Sequence, residues 1–354
     1  MLSRLALAGA LVLGLAACSG SEPATPAPAP ASTSAPATPA APGGTIALLM
    51  PGPPAMRSEA FDKRSFTEAV AERCPACRVD FYDAGGDAPT QSDQLAQATD
   101  AGARVVVIDA VEPLTVVNQL SAAQELGVKV VGYDTLLEDL DYYVAYDREQ
   151  IGEQQAHALL EQAGAGNLVM LNGSPTDPGA VQVKGAAHRV LDASRATVVG
   201  EYDALPGRPK DTRTWLSTIL TFYPPSTLGG LYAADDALAG TAVQALGGAR
   251  LPVTGAGATL AGVRRLVSGR QLMTVYRPVQ PAADTAARVA VAALTGGDPG
   301  DPTSVLDGVP TYLLDPVPVT VDNLERTVVA DGYWTVDEIC TKRLRADCED
   351  AGLR

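Results

Sequence analysis

Hydrophobic and polar positions alternate along this chain with two different periods. From Thr45 onward, short aliphatic and β-branched runs are separated by longer stretches in which apolar residues recur at helical spacing. This alternation is typical of βαβ units and a parallel sheet, so it predicts an α/β fold. The predicted strands are 45–50, 78–82, 105–108 and 129–133, and the predicted helices lie near 60–72, 90–101 and 114–126.

The same pattern begins again after the apolar run at 142–145. Strands are predicted at 167–171, 197–202, 230–233 and 252–256, with helices near 179–193, 210–220, 236–246 and 260–268. A run at 272–275 and an Ala-rich helix at 281–294 then look like a return to the first group. We predict a first lobe of residues 45–145 plus 277–306, and a second of 146–276 plus 307–354, joined by a hinge that the chain crosses more than once.

The first 44 residues have a different composition. Arg4 precedes an apolar run that ends at Ala17-Cys18, which predicts a secretion signal over residues 1–18; the run is well short of the ~20 residues that a membrane-spanning helix needs. Leu15-Ala16-Ala17-Cys18 resembles the bacterial lipobox, whose Cys is lipidated, although cleavage after a small residue would also fit. Residues 19–44 are almost entirely Pro, Ala, Ser, Thr and Gly, which predicts a disordered tether. The folded part is then extracytoplasmic, lipid-anchored to the outer face of the cell membrane or periplasmic.

Charge and cysteine usage narrow the function further. The formal net charge of −15 argues against binding to nucleic acid or to an anionic membrane face, because both require clusters of Lys and Arg. Besides Cys18 there are four cysteines in two close pairs, Cys74 with Cys77 and Cys340 with Cys348. In an exported protein these predict two local disulfides. A redox centre or half of a zinc site are the alternatives for Cys74 and Cys77.

Polar residues follow several of the predicted strands. In an open parallel sheet, ligands bind beyond the carboxyl ends of the strands, where loops and helix N-termini present polar groups together. Carboxylates there accept hydrogen bonds from hydroxyl groups and Arg donates to oxygen atoms, a combination suited to a polyol. The candidates for ligand binding at these positions are Asp134, Asp177, Tyr202, Asp235 and Arg277.

Helix capping is the alternative role for such aspartates. Asp after a strand often accepts a hydrogen bond from the first turn of the next helix, and we assign this role to Asp236. Asp134 differs, because no helix is predicted directly after it.

Catalytic patterns are not found in the sequence. His157 and His188 each lie in a predicted amphipathic helix without a Cys or Ser partner. There is no Gly-x-Ser-x-Gly elbow, no phosphate-binding loop and no set of metal ligands at suitable spacing. We therefore expect a protein that is not an enzyme and has no catalytic residues, cofactor or metal.

Several short segments of the chain match motifs of one known family. The segments are Lys129-Val-Val-Gly-Tyr-Asp134, Tyr142-Tyr-Val-Ala-Tyr-Asp147, Gly152-Glu-Gln-Gln-Ala156, Asn172-Gly-Ser-Pro-Thr-Asp177, residues 236–246, Leu260-Ala-Gly-Val-Arg-Arg265, Met273-Thr-Val-Tyr-Arg-Pro278 and Asp331-Gly-Tyr-Trp334. Together they resemble the xylose-binding proteins of bacterial ABC importers, within the type I periplasmic-binding-protein family. The resemblance covers nearly everything from Thr45 to about Cys340.

The resemblance implies two Rossmann-like lobes joined by three crossings, which close over a monosaccharide by hinge motion. It implies a ligand-binding role for Arg57, after the first strand, and for Asp134 and Asp177, which match aspartates in the family's Tyr-Asp-Arg and Ser-Pro-x-Asp motifs. The positions that depart from the family are Thr135 in place of Arg, Asp235 in place of Asn, Gly257 in place of Asp and Arg277 in place of Lys.

These departures affect the ligand more than the fold, since a lost hydrogen bond to one hydroxyl is worth ~1–3 kcal/mol and changes the preferred epimer. The family's stacking Trp is absent near Tyr202, so that Tyr202, Tyr276 and Phe61 become the candidates for stacking on a sugar, with ordinary packing as the alternative.

The combined features favour a lipid-anchored solute-binding protein. It would be a monomer that captures a monosaccharide, pentose-like or a related small polar ligand, for an ABC importer permease, and would contact the membrane only through its lipid anchor. A receptor with the same site that signals to a membrane histidine kinase is the alternative. An enzyme on the same fold is a third hypothesis, for which the sequence supplies no catalytic set.

Overall fold

The structure is a computed structural model that describes residues 43–52, 58–205 and 207–353. Some of the predicted features lie outside the described residues. They are the signal, Cys18, the tether up to residue 42 and Arg57. Expectations for these positions therefore stay predictions.

Helices alternate with the strands of a seven-stranded sheet in the first part of the chain. All neighbouring strands are parallel except the last pair along the edge, β10 and β11, which are antiparallel. Its strand order is β10-β11-β5-β4-β3-β1-β2. The elements up to β5 are β1 (Thr45–Met50), α1 (Ser58–Arg73), β2 (Arg78–Asp83), α2 (Ala88–Asp100), β3 (Ala103–Ile108), α3 (Pro113–Glu125), β4 (Lys129–Tyr133) and β5 (Tyr142–Tyr146).

The middle of the chain forms a smaller parallel sheet with the order β7-β6-β8. The elements of this part of the chain are α4 (Arg148–Ala163), β6 (Asn167–Asn172), α5 (Pro178–Asp192), β7 (Thr197–Asp203), α6 (Pro209–Phe222), β8 (Leu228–Ala233), α7 (Asp236–Leu246), α8 (Leu260–Val267) and β9 (Thr274–Tyr276). The predicted strand at 252–256 was wrong: only single bridges form there, from Val253 to Leu231 and from Ala256 to Val275. Pro252 has no N–H to donate, which limits a regular ladder in this segment.

The last part of the chain contributes to both regions. Its elements are α9 (Val279–Thr295), β10 (Ser304–Leu306), β11 (Val309–Leu314), β12 (Val317–Val319), α10 (Val336–Ile339) and α11 (Arg345–Asp350). Helix α9 packs on the seven-stranded sheet through a stripe of buried alanines, whereas β12 pairs with β9. Strand β11 pairs with β5, so the chain leaves the larger sheet after Leu314 rather than at the predicted boundary of residue 306. The division of the chain into two lobes stays a prediction.

Hydrophobic cores lie on both faces of each sheet, as parallel sheets require. Strand β1 is buried from Ile46 to Met50 and contributes alternate residues to the two cores of the larger sheet. The smaller sheet separates two further cores, and the C-terminal segment packs with α8 and β9 in another core around Tyr333 and Trp334. The predicted α/β class with parallel sheets is confirmed.

Two short loops are closed by cysteine pairs at disulfide distance, as predicted. Cys74 and Cys77 join the end of α1 to the start of β2, with Cα atoms 5.3 Å apart. Cys340 and Cys348 join α10 to α11, with Cα atoms 5.9 Å apart. In the part of the chain that the structure describes, every helix is too short or too polar to cross a lipid bilayer.

Candidate functional site: a polar cavity at the strand ends

A cavity of about 170 Å³ lies at the carboxyl ends of strands β1, β3, β4 and β5. Asp109 directly follows β3 and Asp134 directly follows β4, so both carboxylates reach the same edge of the sheet. Segments that are distant in sequence close the other sides. The polar side chains that line the cavity are Asp62, Asp109, Tyr133, Asp134, Tyr146, Arg277 and Tyr333.

Asp134 is held by neighbours in an unusual backbone conformation. Its φ of 61° is in the left-handed region, which a non-glycine residue adopts only at a cost in free energy. The Asp134 N–H donates to Val144 O at 2.9 Å, and the Tyr143 hydroxyl donates to Asp134 O at 2.8 Å. These contacts fix the direction in which the carboxylate leaves the backbone.

Two arginines bind the two carboxylate oxygens of Asp134. Arg148 Nη2 donates to Oδ1 at 2.8 Å and Arg277 Nη1 donates to Oδ2 at 2.5 Å. Burial acts to raise the pKa of Asp134, but the two guanidinium groups outweigh it and hold that pKa at about 2. The Asp134 carboxylate in turn raises the pKa of Arg277 above its usual range. The pair is therefore fully charged at neutral pH.

Two further carboxyl groups of the cavity behave differently. Burial raises the pKa of Asp62 to about 7, although the Tyr133 hydroxyl donates to its Oδ1 at 2.5 Å and lowers the pKa. Burial and the nearby Asp134 charge raise the pKa of Asp109 to about 7, against a 2.6 Å hydrogen bond from Thr135 Oγ1 to Asp109 Oδ1. Near neutral pH each group can therefore accept or donate a hydrogen bond.

Aromatic side chains form one wall of the cavity. Tyr333 lines it and packs against Phe61 and Tyr276, with ring centroids 5.9 and 5.2 Å apart. Tyr276 itself is 2% exposed and belongs to the C-terminal core. Of the predicted stacking residues, Phe61 and Tyr276 both contact the ring of Tyr333, which lines the cavity. Neither is itself among the lining residues.

Among the predicted site residues, the structure brings Asp134 and Arg277 together in the cavity. Three others, all described, are not among the residues that line it. Asp177 is exposed and caps α5 by accepting from Gly179 N at 2.8 Å, while Asp235 caps α7 by accepting from Leu238 N at 2.7 Å. Tyr202 stacks on Trp215, with ring centroids 5.3 Å apart.

The capping role that we assigned to Asp236 was wrong. Asp235 is the cap, because α7 begins at Asp236, one residue earlier than that assignment requires. Asp236 is 2% exposed and accepts four hydrogen bonds, from Thr259 N, Thr259 Oγ1, Gln271 Nε2 and Thr274 Oγ1. It joins the starts of α7 and α8 to β9.

The residues of the cavity and its border that were missed in the sequence include Asp62, Asp109, Arg148 and Tyr333. Asp109 could have been found by the rule that identified Asp134, since it directly follows a predicted strand. Tyr333 lies in the segment Asp331-Gly-Tyr-Trp334, which carries part of the family resemblance. Asp62 lies within α1, and Arg148 is the first residue of α4, where no sequence signal distinguishes them.

A polar cavity beyond the strand ends of a parallel sheet is the architecture in which α/β proteins hold small molecules. A family model described as periplasmic binding protein domain matches residues 53–298. The D-xylose-binding periplasmic protein of Escherichia coli K12 is 32% identical over 275 residues, which cover 74% of this chain and 83% of that protein. The chain therefore belongs to the periplasmic binding protein family and has its type I fold.

A second relative and a solved structure extend the comparison. The multiple sugar-binding periplasmic receptor ChvE of Rhizobium radiobacter is 26% identical over 286 residues, covering 72% of this chain and 81% of that protein. An ABC transporter solute-binding protein from Clostridium phytofermentans with bound β-D-glucose superimposes with a TM-score of 0.71 at 23% identity, covering 83% of this chain and 99% of that one. This structural likeness concerns the fold.

Proposed function

We propose that this chain is an extracytoplasmic solute-binding protein that captures a monosaccharide, or a related small polar ligand, for an ABC importer. The observation that carries the proposal is the convergence of Asp62, Asp109, Asp134 and Arg277 on one cavity at the strand ends. Relatives named for D-xylose and for multiple sugars support it.

The chemistry of the cavity fits a polyol. Neighbouring hydroxyl groups of a sugar each offer one donor and two acceptor positions. The charged Asp134 accepts, the charged Arg277 donates, and the carboxyl groups of Asp62 and Asp109 can do either near neutral pH. The Tyr333 ring supplies an apolar face against which the C–H groups of a sugar ring can pack.

Arg57, Asp177, Asp235 and Tyr202 remain proposed ligand contacts. The last three lie at or just beyond the carboxyl ends of strands in the smaller sheet, and a contact with the ligand requires these ends to close toward the cavity. We propose that this closure is a hinge motion at the segments that connect the two sheets, which is the motion that the family resemblance implies.

The proposed anchor is the lipid on Cys18. Replacing Cys18 with Ser would release the protein from the membrane fraction if lipidation holds it there. It would leave ligand affinity unchanged, because the predicted tether of residues 19–44 separates Cys18 from the residues that line the cavity, which begin at Met50. Protein that remains with the membranes after this change would contradict the anchor.

A receptor that signals to a membrane histidine kinase is the second candidate. It is favoured by the likeness to a protein named as a sugar receptor. Deletion of the gene separates the two roles: a transport protein is needed for uptake of labelled sugar, whereas a receptor is needed for induction of sugar-responsive genes while uptake continues.

Calorimetric titration of the purified protein with pentoses, hexoses, polyols and inositols tests the proposed function. We expect at least one member to bind without being chemically changed. Asp134→Asn should weaken that affinity tenfold or more, because it removes a charged acceptor whose hydrogen bonds are worth ~1.5–3 kcal/mol.

The matched control is Asp284→Asn, which removes a carboxylate that also pairs with an arginine, Arg73, at 2.8 Å but does not line the cavity. Its affinity should equal that of the wild type. Failure of the whole panel to bind, or equal affinity for Asp134→Asn and the wild type, would refute the proposal.

A further inference from the structure

Arg148 lies at the border between the two sheets. It is the first residue of α4, directly after the chain leaves β5 of the larger sheet. Gly152, one helical turn later on the same face, brings α4 against α5, since a Cβ at this position would lie 2.1 Å from Val183 O. This close packing places the Arg148 side chain beside the start of α5.

One nitrogen of Arg148 contacts Asp134 twice. Its Nη2 donates to Asp134 Oδ1 at 2.8 Å and to Asp134 O at 3.1 Å. Arg148 therefore holds both the side chain and the backbone of a residue whose φ is 61°. A strained conformation persists where neighbouring groups over-determine it, and Arg148 is one of the groups that do so here.

Another part of the guanidinium group is still available as a donor. Arg148 Nε is buried and makes no hydrogen bond within the described part of the chain. A Cβ on Gly179 would lie 3.4 Å from this nitrogen and 3.3 Å from Asp177 Oδ1, so Arg148 reaches the first turn of α5. The same guanidinium group therefore lies between Asp134, at the end of a strand of the larger sheet, and the first turn of α5.

We propose that Arg148 is a positioning residue of the ligand site: from the border of the two sheets it fixes the orientation of the Asp134 carboxylate that receives the ligand. The inference rests on the proposed function and deepens it. Arg277 binds Oδ2 and Arg148 binds Oδ1, so the carboxylate cannot rotate while both contacts are present. A fixed carboxylate selects hydroxyl groups by their direction, which is how epimers are distinguished.

The test compares Arg148→Gln, Arg148→Lys and a double variant with Asp134→Asn, using the sugar that binds the wild type most tightly. We expect Arg148→Gln to weaken affinity about tenfold and to reduce the preference between epimers. Arg148→Lys should recover part of the lost affinity, because Lys restores the positive charge but not the planar guanidinium group. In the Asp134→Asn background, Arg148→Gln should have little further effect, since Arg148 acts through that carboxylate.

The matched control is Arg189→Gln on α5, which removes an arginine that pairs with Glu149 and Glu153 of α4 but does not line the cavity. Its affinity should equal that of the wild type. A merely structural role of Arg148 predicts additive losses in the double variant, and that outcome would overturn the inference, as would unchanged binding by Arg148→Gln. If Arg148→Gln does not fold, the same cycle with Arg148→Lys decides. A wild type that binds no sugar refutes the proposed function instead.

Discussion

The three aspartates of the cavity show how neighbours set the charge of identical side chains. The pKa of Asp134 is about 2 because two arginines face it, whereas burial raises the pKa of Asp62 and Asp109 to about 7. Asp134 is therefore charged throughout the physiological range, and the other two change charge within it. A ligand that accepts a hydrogen bond from the carboxyl group of Asp62 or Asp109 will therefore bind with an affinity that depends on pH. Binding to the Asp134 carboxylate alone would not produce this dependence.

The raised pKa of Asp62 predicts how stability changes with pH. Asp62 is 4% exposed, with a pKa of about 7 in the folded chain and 3.8 as the ordinary value. Between these values the unfolded chain loses a proton that the folded chain keeps, so stability falls as pH rises. In Asp62→Asn, which keeps an acceptor for Tyr133, the free energy of unfolding should decline less steeply between pH 4 and pH 7 than in the wild type. The two slopes should differ by up to about 1.4 kcal/mol per pH unit.

Urea unfolding at several pH values measures this difference. Asp284→Asn, at a surface ion pair whose carboxylate is 49% exposed, serves as the control and should follow the wild-type curve. If Asp62→Asn also follows the wild-type curve, Asp62 is ionised in the folded protein over this range and the raised pKa is incorrect.

At the level of single elements, aspartates begin several of the helices. The N-cap residues of α2, α4, α5 and α7 are Asp87, Asp147, Asp177 and Asp235, respectively. Each of them accepts a hydrogen bond from a backbone N–H of the first turn. The N–H groups of a first turn have no partner within their own helix, which is why an acceptor at this position is stabilising. A carboxylate after a strand is therefore ambiguous in sequence, since capping and ligand binding use the same position.

Two substitutions of Asp235 separate these roles. Ser is also a good N-cap but has no carboxylate, whereas Ala lacks both functions. If Asp235 only caps α7, Asp235→Ala should lower the free energy of unfolding by about 1 kcal/mol, Asp235→Ser should change it little, and neither should alter ligand affinity. If Asp235 also binds the ligand, both variants should weaken affinity.

Thermal or urea unfolding and calorimetric titration of the same two variants provide the measurement. Asp87→Ala, at the cap of α2, is the control for loss of a cap outside the cavity and should affect stability alone. Weaker binding by Asp235→Ala but not by Asp235→Ser would show that affinity depends on the stability of α7.

At the level of the whole molecule, the C-terminal segment supplies one wall of the cavity. Tyr333 contacts the cavity, and the Trp334 indole N–H donates to Ala258 O at 2.8 Å. This segment packs with α8 and β9 in one core that includes Cys348. The disulfide between Cys340 and Cys348 therefore braces the region from which Tyr333 projects.

Removal of each disulfide should have different consequences. The loop closed by Cys340 and Cys348 spans 8 residues and that closed by Cys74 and Cys77 spans 3. From the entropy of loop closure, replacement of both cysteines by Ala should cost about 2.5 kcal/mol for the longer loop and about 1.6 kcal/mol for the shorter one. Only the C-terminal replacement should also weaken ligand affinity, several-fold, because it loosens the wall that holds Tyr333.

Urea unfolding and calorimetric titration of the two double variants test this expectation, each variant serving as the control for the other. Equal affinity in both variants would show that the wall keeps its position without the disulfide. Weaker binding after loss of Cys74 and Cys77 would show that the cavity depends on the opposite end of the larger sheet.

The hydrophobic pattern was sufficient to locate most elements of the fold. The predicted strands at 45–50 and 129–133 and the predicted helix at 236–246 have the bounds of β1, β4 and α7. Their signals are local, since each depends on the periodicity of adjacent residues. Strands β10, β11 and β12 were not predicted. Strands β11 and β12 pair with β5 and β9, which lie far away in sequence, and β10 pairs with β11.

Sequence alone also determined which residue types stand at the strand ends, and so indicated Asp134 as a candidate, but only the tertiary structure decided what surrounds it. Arg148 and Arg277 lie 14 and 143 residues from Asp134, and Tyr333 reaches the cavity from the C-terminal segment. The charge of a carboxyl group depends on the distance to such partners and on burial, neither of which is a local property of the chain. For this reason the periodicity could predict the sheet, whereas the electrostatics of the cavity followed only from how the chain folds back on itself.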